Sequence, residues 1–341
     1  MKSVCILRLS AIGDVTHVLP VVHALRDRHP DVRVTWIIGR LEQKLMADLE
    51  GVEFIIFDKR EGAGAYRELR HQLAGRRFDV LLHMQVSLRA NVAAWLVAAE
   101  RRIGYDRERS RELHGLRLTD RITHVPDQHV RDLLASFLVP LDGEAAPPRW
   151  SLPLGPEDLA FADEHVDASR PTLTIAPCSS HTARNWLPDR YAAFADHVAR
   201  TGWQVILCAG PSPQERAFAD TILDHASEPL LDLTGKDTLK RLAALLGRSS
   251  LVLAPDTGPA HMANAMGTPV LGLYAATDPE RSGPYDSRDL SINRYPDAAQ
   301  AFRGVEARSL PWGSKIEPEG VMALITVDEV VDRFEQWWLK Q

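Results

Sequence analysis

Cysteine is scarce in this chain, long apolar runs are missing, and the common nucleotide-site signatures are incomplete. The three cysteines, Cys5, Cys178 and Cys208, are widely spaced, and each lies in or beside an apolar run. An odd set so arranged argues against a disulfide framework or a zinc cluster and for reduced core thiols in a cytoplasmic protein. No stretch of about 18 apolar residues occurs, which excludes a membrane-spanning helix. The opening MKSVCILRLSAIGD is a poor signal peptide: Arg8 breaks its apolar run, Gly13-Asp14 follows, and no small-residue cleavage site appears. The fingerprint Gly-x-Gly-x-x-Gly is absent, since the turn after the first predicted strand holds one glycine. The second predicted strand ends in Gly39-Arg40, where a nicotinamide enzyme would place an acid. Both features weaken a dehydrogenase reading. There is no Asp-x-Asp pair to hold a divalent ion against a diphosphate, and no His/Cys/carboxylate cluster at metal-ligand spacing. Neither a metal nor a cofactor is expected.

What is present suits a two-domain α/β protein. A length of 341 residues exceeds one comfortable core, and 45% hydrophobic with 25% charged residues is globular composition. The net charge of -6 is uneven: the first 150 residues are slightly basic and the remainder clearly acidic. A basic half can meet an anionic partner or carry solvated charge; nucleic acid is not expected, because the excess is small and no binding motif accompanies it.

Short β-rich runs alternate with helical patterns, which predicts parallel βαβ units. In the first half, strands are predicted at 4–9, 32–38, 54–57 and 80–83, with helices at 18–28, 66–73 and 90–99. The stretch from Pro140 to Pro156, dense in Pro and Gly, is the predicted linker. Beyond it come strands at 172–176, 204–209, 230–233, 251–254 and 270–274, with helices between. The domains are accordingly 1–150, 157–326 and a final helix over 327–341, whose apolar stripe Val330, Val331, Phe334, Trp337, Trp338 suits core packing, with packing back on the N-terminal domain as an option.

Three loops can carry chemistry. Ser10-Ala11-Ile12-Gly13-Asp14 follows the first strand, where open sheets bind ligands. Asp14 there is either a helix cap or a carboxylate able to take a proton from an attacking hydroxyl. Asp256-Thr257-Gly258-Pro259-Ala260-His261 joins a strand to a helix start, whose free amides favour a diphosphate. Thr257 adds a hydroxyl, Gly258 allows close approach, and Asp256 suits orienting His261 or a sugar hydroxyl. Ser179-Ser180-His181-Thr182-Ala183-Arg184 follows another strand and offers hydroxyls and a cation to phosphate. Lys59, Arg60, Arg89, Arg107, Arg109 and Arg111 are basic residues of the first half, each either solvated or part of an anion site.

At these motifs the chain resembles the ADP-heptose:lipopolysaccharide heptosyltransferases, glycosyltransferase family 9, closest to the heptosyltransferase I and OpsX-like branch. The resemblance rests on Cys5 to Val15, on Arg184-Asn185-Trp186 and on Asp256 to Ala263, in that order along essentially the whole chain. It implies a GT-B fold, two Rossmann-like domains facing a cleft, and inversion at the anomeric carbon. Asp14 is then the catalytic base. Ser179, Ser180, Arg184, Glu215, Asp256, Thr257, Gly258 and His261 would bind ADP-heptose. Ser10, Gly13, Lys59, Arg60, Arg89 and Arg111 would bind a Kdo-lipid A type acceptor. Many family members have Lys where this chain has Arg184, which keeps the charge and changes its geometry. Transient contact with the cytoplasmic face of the inner membrane follows, as does metal independence. The alternatives are a transferase using another nucleotide sugar, a UDP-sugar epimerase of the same architecture, and a non-catalytic nucleotide-binding module.

Overall fold

A computed structural model describes residues 1–341. The chain forms two compact units, Met1–Pro153 and Leu154–Gln341.

The first unit contains the strands Ser3–Leu7 (β1), Arg33–Gly39 (β2), Val52–Phe57 (β3), Phe78–His83 (β4), Ala99–Gly104 (β5) and Asp120–Arg121 (β6). Its helices are Ile12–Arg28 (α1), Arg40–Met46 (α2), Ala63–Gln72 (α3), Leu88–Trp95 (α4), Val130–Ala135 (α5) and Val139–Asp142 (α6). The sheet order is β3-β2-β1-β4-β5-β6, and every pairing is parallel. Strands covered on both faces are apolar at every position, and β1 is buried throughout. Cys5 and Leu7 pack with Leu69 of α3 and Ala90 and Ala94 of α4. Strand alternation turns Val4 and Ile6 to the opposite face.

The second unit repeats the plan. Its strands are Thr172–Ile175 (β7), Gln204–Leu207 (β8), Leu231–Asp232 (β9), Leu251–Pro255 (β10), Val270–Tyr274 (β11) and Ile292–Asn293 (β12). Its helices are Pro156–His165 (α7), Pro188–Arg200 (α8), Pro213–His225 (α9), Leu239–Arg248 (α10), Gly258–Ala265 (α11), Pro279–Ser282 (α12), Tyr295–Arg303 (α13) and Val327–Trp338 (α14). The order β12-β11-β10-β7-β8-β9 is again wholly parallel. Leu173 and Leu207 pack with Tyr191 and Phe194 of α8 and Ile222 of α9, while Ile206 and Cys208 pack with Ala162 of α7 and Leu245 of α10.

Several expected boundaries move. Residues 90–99, read as one helix, split into the end of α4 at Trp95 and the start of β5 at Ala99. Helix α1 starts at Ile12, so Gly13 and Asp14 lie in its first turn rather than in a loop before it. The predicted linker from Pro140 begins inside α6 and ends on the first residue of α7. Helix α14 uses its apolar stripe within its own unit: the Phe334 ring lies 5.8 Å from Phe194 and 5.2 Å from Trp203, both edge-on. Its start is the expected capping box, with the Thr326 hydroxyl accepting from Glu329 N–H and the Glu329 carboxylate accepting from Thr326 N–H.

Candidate active site

In each unit the sheet reverses direction of growth at one place, between β1 and β4 and between β7 and β10. Loops leaving the two strands at such a place run to opposite faces and open a crevice at the carboxyl edge. The predicted motifs fall at these two places.

In the first unit, Arg8 to Asp14 leave β1 and Met84 to Arg89 leave β4. The two loops are laced together. Met84 N–H donates to Leu7 O at 3.0 Å, Leu9 N–H donates to the Gln85 side-chain oxygen at 2.7 Å, and the Gln85 amide donates to the Ser10 hydroxyl at 3.4 Å. Arg8 Nε donates to Ser10 O at 2.8 Å and its Nη1 to Met84 O at 2.5 Å, while Nη2 is ion-paired with the Asp14 carboxylate. Burial opposes the charge of Arg8, and the neighbouring Asp14 outweighs it, holding the guanidinium above its ordinary pKa. Asp14 also accepts the N–H of Ala11 at 3.2 Å. The helix-cap role and the exposed-carboxylate role are therefore played by one side chain, because capping leaves 30% of it open to solvent.

The other residues expected on this side leave parallel strands and so share the same edge. Lys59 and Arg60 form a 3-10 turn after β3, Arg89 stands in the first turn of α4, and Arg111 lies in the loop after β5. Ser10 and Gly13 lie beside Asp14. Arg60 is not a bare cation: it donates to Asp58 at 2.8 Å, and Arg40 donates to the same carboxylate at 2.6 Å. The hydrogen bonds from Arg60 and then Arg40 hold Asp58 well below the usual carboxylate range. Arg109 is committed to Asp106 at 2.6 Å and to the carbonyl of Val125 at 2.5 Å, which makes it part of the loop's framework.

In the second unit, the loop after β7 and the loop after β10 are joined by reciprocal bonds. The Ser179 hydroxyl donates to Asp256 O at 3.1 Å, and the Thr257 hydroxyl donates to Cys178 O at 2.9 Å. Both hydroxyls thus brace the loops, and Ser180 is the exposed one of the serine pair. With Thr257 engaged by Cys178, α11 has no side-chain cap on its first amides, and Pro259 occupies its first turn. Arg184 is buried, donating from Nε to Glu317 at 2.8 Å and from Nη1 to Asp256 at 3.2 Å. Its Nη2 is enclosed and has no hydrogen-bond partner within the protein. The Tyr274 hydroxyl, at the end of β11, is likewise buried and unpartnered. Burial, then Asp256, raises its pKa, so it remains a protonated donor. His261 is buried one turn into α11.

Glu215 stands in the first turn of α9, and its carboxylate reaches back to accept Gly210 N–H in the loop after β8 at 2.5 Å. Asp237, beyond β9, titrates near 6 because burial and the charge of Glu215 both disfavour its ionised form. The Cys178 thiol is pushed up to about 12 by burial and Glu215, which removes it as a nucleophile. The arrangement can take an anion on the α11 amides and Arg184, with carboxylates placed to receive hydroxyl groups.

Sequence reasoning missed Arg8, Gln85, Tyr274 and Glu317. Arg8 carried one signal, a charge directly after the apolar run Val4–Leu7. Glu317 carried none, since it sits in an irregular Pro- and Gly-containing stretch 133 residues beyond its partner Arg184.

Comparison with known proteins bears on this geometry. Residues 66–306 match glycosyltransferase family 9 (heptosyltransferase). The lipopolysaccharide core heptosyltransferase OpsX of Haemophilus influenzae is 36% identical over 98% of this chain and 96% of its own length. Among solved structures, a family 9 glycosyl transferase from Veillonella parvula superposes with a TM-score of 0.81 at 21% identity, covering 100% of this chain and 98% of that one. The Escherichia coli heptosyltransferase WaaC, solved with ADP, gives 0.71 at 17% identity over 98% and 99% of the two chains. Two parallel six-stranded sheets of Rossmann order are the GT-B architecture that the resemblance implied. The chain belongs to glycosyltransferase family 9, the heptosyltransferases.

Proposed function

We propose that this enzyme transfers heptose from ADP-L-glycero-D-manno-heptose to Kdo of the lipopolysaccharide inner core, with inversion and without a metal ion. The observation that carries the reading is the buried Nη2 of Arg184, a charged donor without a partner on a guanidinium tied through Nη1 to Asp256, two residues before the uncapped start of α11. A buried guanidinium normally has all its N–H groups satisfied. One left over, next to a helix start, suits a diphosphate oxygen.

In the proposed step, Asp14 accepts the proton of the acceptor hydroxyl as its oxygen bonds to the anomeric carbon. The bond from that carbon to the β-phosphate oxygen breaks, and its electron pair leaves with ADP. Arg184, the α11 amides and the Tyr274 hydroxyl meet the charge that grows on the diphosphate, the role a metal plays elsewhere. Ser180, Thr257, Gly258 and His261 complete the donor side, with Asp256 holding Arg184 and Glu215 receiving hydroxyls of the nucleoside. Lys59, Arg60, Arg89 and Arg111, with Ser10 and Gly13, hold the anionic acceptor. The acceptor is lipid-linked, so the enzyme works at the cytoplasmic face of the inner membrane. No helix is long and apolar enough to cross that membrane, and the contact in this reading is peripheral.

Mass spectrometry of the product from ADP-heptose and a Kdo-containing core lipid tests this directly. A mass increase of one heptose is expected. Transfer from a UDP- or GDP-sugar in its place would assign the chain to another donor.

A further inference from the structure

The long loop between β5 and β6 has no part in the transfer just described beyond Arg111, yet it is built in an unusual way. Leu113 and Leu116 on it, and Leu88 at the start of α4, are 56%, 52% and 53% exposed. Solvent-facing leucines are normal singly; three in one place are not. They are neighbours: Leu88 N–H donates to the Glu112 carboxylate, and Leu116 N–H donates to Leu113 O at 3.0 Å.

The loop is also pinned rather than loose. Asn91 of α4 donates to Glu112 O at 2.6 Å and to Arg111 O at 3.4 Å, and Arg121 donates to Tyr105 O at 3.1 Å and to the Ser110 hydroxyl at 3.0 Å. Glu112, Leu113 and Arg117 take left-handed backbone conformations, with φ of 52°, 68° and 64°. Residues with a Cβ avoid that region unless surrounding contacts impose it. Here the imposed conformation holds a leucine out in water, which folding alone gives no reason to do.

Charge identifies the occupant. Arg89, Arg107, Arg111 and Arg117 are exposed along the same loop and helix start as the three leucines, Arg117 lying over the Trp95 ring at 6.0 Å. The acids within the same stretch are engaged: Glu112 by Leu88 N–H, Glu108 by His124 at 3.1 Å, Asp106 by Arg109. Exposed leucines interleaved with exposed arginines match the boundary between acyl chains and phosphate headgroups. We infer that Leu88, Leu113 and Leu116 insert into an anionic bilayer while Arg107 and Arg117 meet lipid phosphates. Nucleic acid would leave the leucines without a role. The inference deepens the peripheral membrane contact proposed above by naming the surface that makes it, and vesicle binding reads it separately from the transfer reaction.

The test is flotation of the full chain with vesicles of phosphatidylcholine, with and without about 30% phosphatidylglycerol. The variant is Leu113→Asn with Leu116→Ser, asparagine being tolerated at left-handed positions. The wild type should bind the anionic vesicles at least about tenfold more tightly than the neutral ones, and the variant should lose at least about tenfold on the anionic ones. Arg107→Gln and added salt should weaken binding without abolishing it. An unchanged thermal shift with ADP certifies that the variant is folded and its nucleotide site intact. Equal binding to both vesicle types, or equal binding by variant and wild type, overturns the inference. So does concentration-dependent dimerisation that the variant abolishes, which would make the patch a contact between two copies of this chain.

Discussion

The guanidinium of Arg8 is ion-paired with the carboxylate of Asp14, across the turn that joins β1 to α1. Arg8 holds that carboxylate in place through a fork that also ties down the carbonyls of Ser10 and Met84, and the base proposed for the transfer step would gain from being so fixed. Replacing Asp14 with Asn keeps the shape and removes the base. Transfer should fall by about two to four orders of magnitude, the usual contribution of a general base. Calorimetric affinity for ADP should stay within about twofold. Near wild-type turnover would remove Asp14 from the mechanism.

Arg8→Lys keeps a positive charge and loses the fork. If Arg8 serves to aim Asp14, kcat should drop by about tenfold or more, while KM for the donor, whose proposed site lies in the other unit, hardly moves. Steady-state kinetics with both substrates varied separates these terms. A change confined to donor KM would show that Arg8 acts elsewhere.

On the donor side, Arg184→Met should weaken ADP binding by about ten- to a hundredfold, the range expected for losing charge-assisted hydrogen bonds. The substitution also leaves Asp256 and Glu317 without their shared cation, so a control is needed. Glu317→Gln keeps Arg184 and still offers it an oxygen, and it should cost less than about fivefold. Equal losses in the two variants would mean that the ion-pair framework, rather than Nη2, governs affinity.

Activity should survive EDTA at full strength. In the proposed step Arg184 and the uncapped amides of α11 meet the charge of the departing diphosphate, so no metal ion is called for. Initial rates with and without chelator, followed by Mg²⁺ titration, check this; strict dependence on the added ion would refute it.

The sheets and both crevices were legible because they rest on local signals: apolar runs, helix starts, and loops directly after strands. Strand β5 escaped because Glu100, Arg101 and Arg102 break its apolar pattern. Their reasons are tertiary. Arg101 donates to Asp120 at 2.9 Å, and Arg102 donates to the carbonyls of Val97 and Ala94 at the end of α4, at 2.6 and 2.5 Å. Arg184 could be named from its loop, but its framework could not, because Asp256 and Glu317 come from distant loops. Asp14 looked like either a cap or a base, and a one-dimensional pattern has no means of showing that the first use leaves the second open.

A last prediction concerns acid stability and rests on a buried pair in the first unit. His83 ends β4, and its ring lies 4.2 Å from that of His114. His114 Nε2 accepts Tyr105 N–H at 3.0 Å, so its proton sits on Nδ1, facing the Asn91 side-chain oxygen at 3.1 Å. A second proton would have to displace the Tyr105 bond. Burial, then the charge of Arg121, lowers His114 to about 4; burial, then His114 and Arg102, takes His83 well below its ordinary value. Unfolded histidine titrates near 6.5. Between that pH and about 4, the unfolded chain binds protons that the folded chain refuses, so stability is full above about pH 6.5 and falls as pH drops. Each histidine can contribute up to about 1.4 kcal/mol per pH unit within that window. Urea unfolding at pH 7.5, 6.5, 5.5 and 4.5 should show this loss, and His114→Gln should flatten it whatever its effect at neutral pH. An acid limb of the same slope in that variant would place the responsible groups elsewhere in the chain.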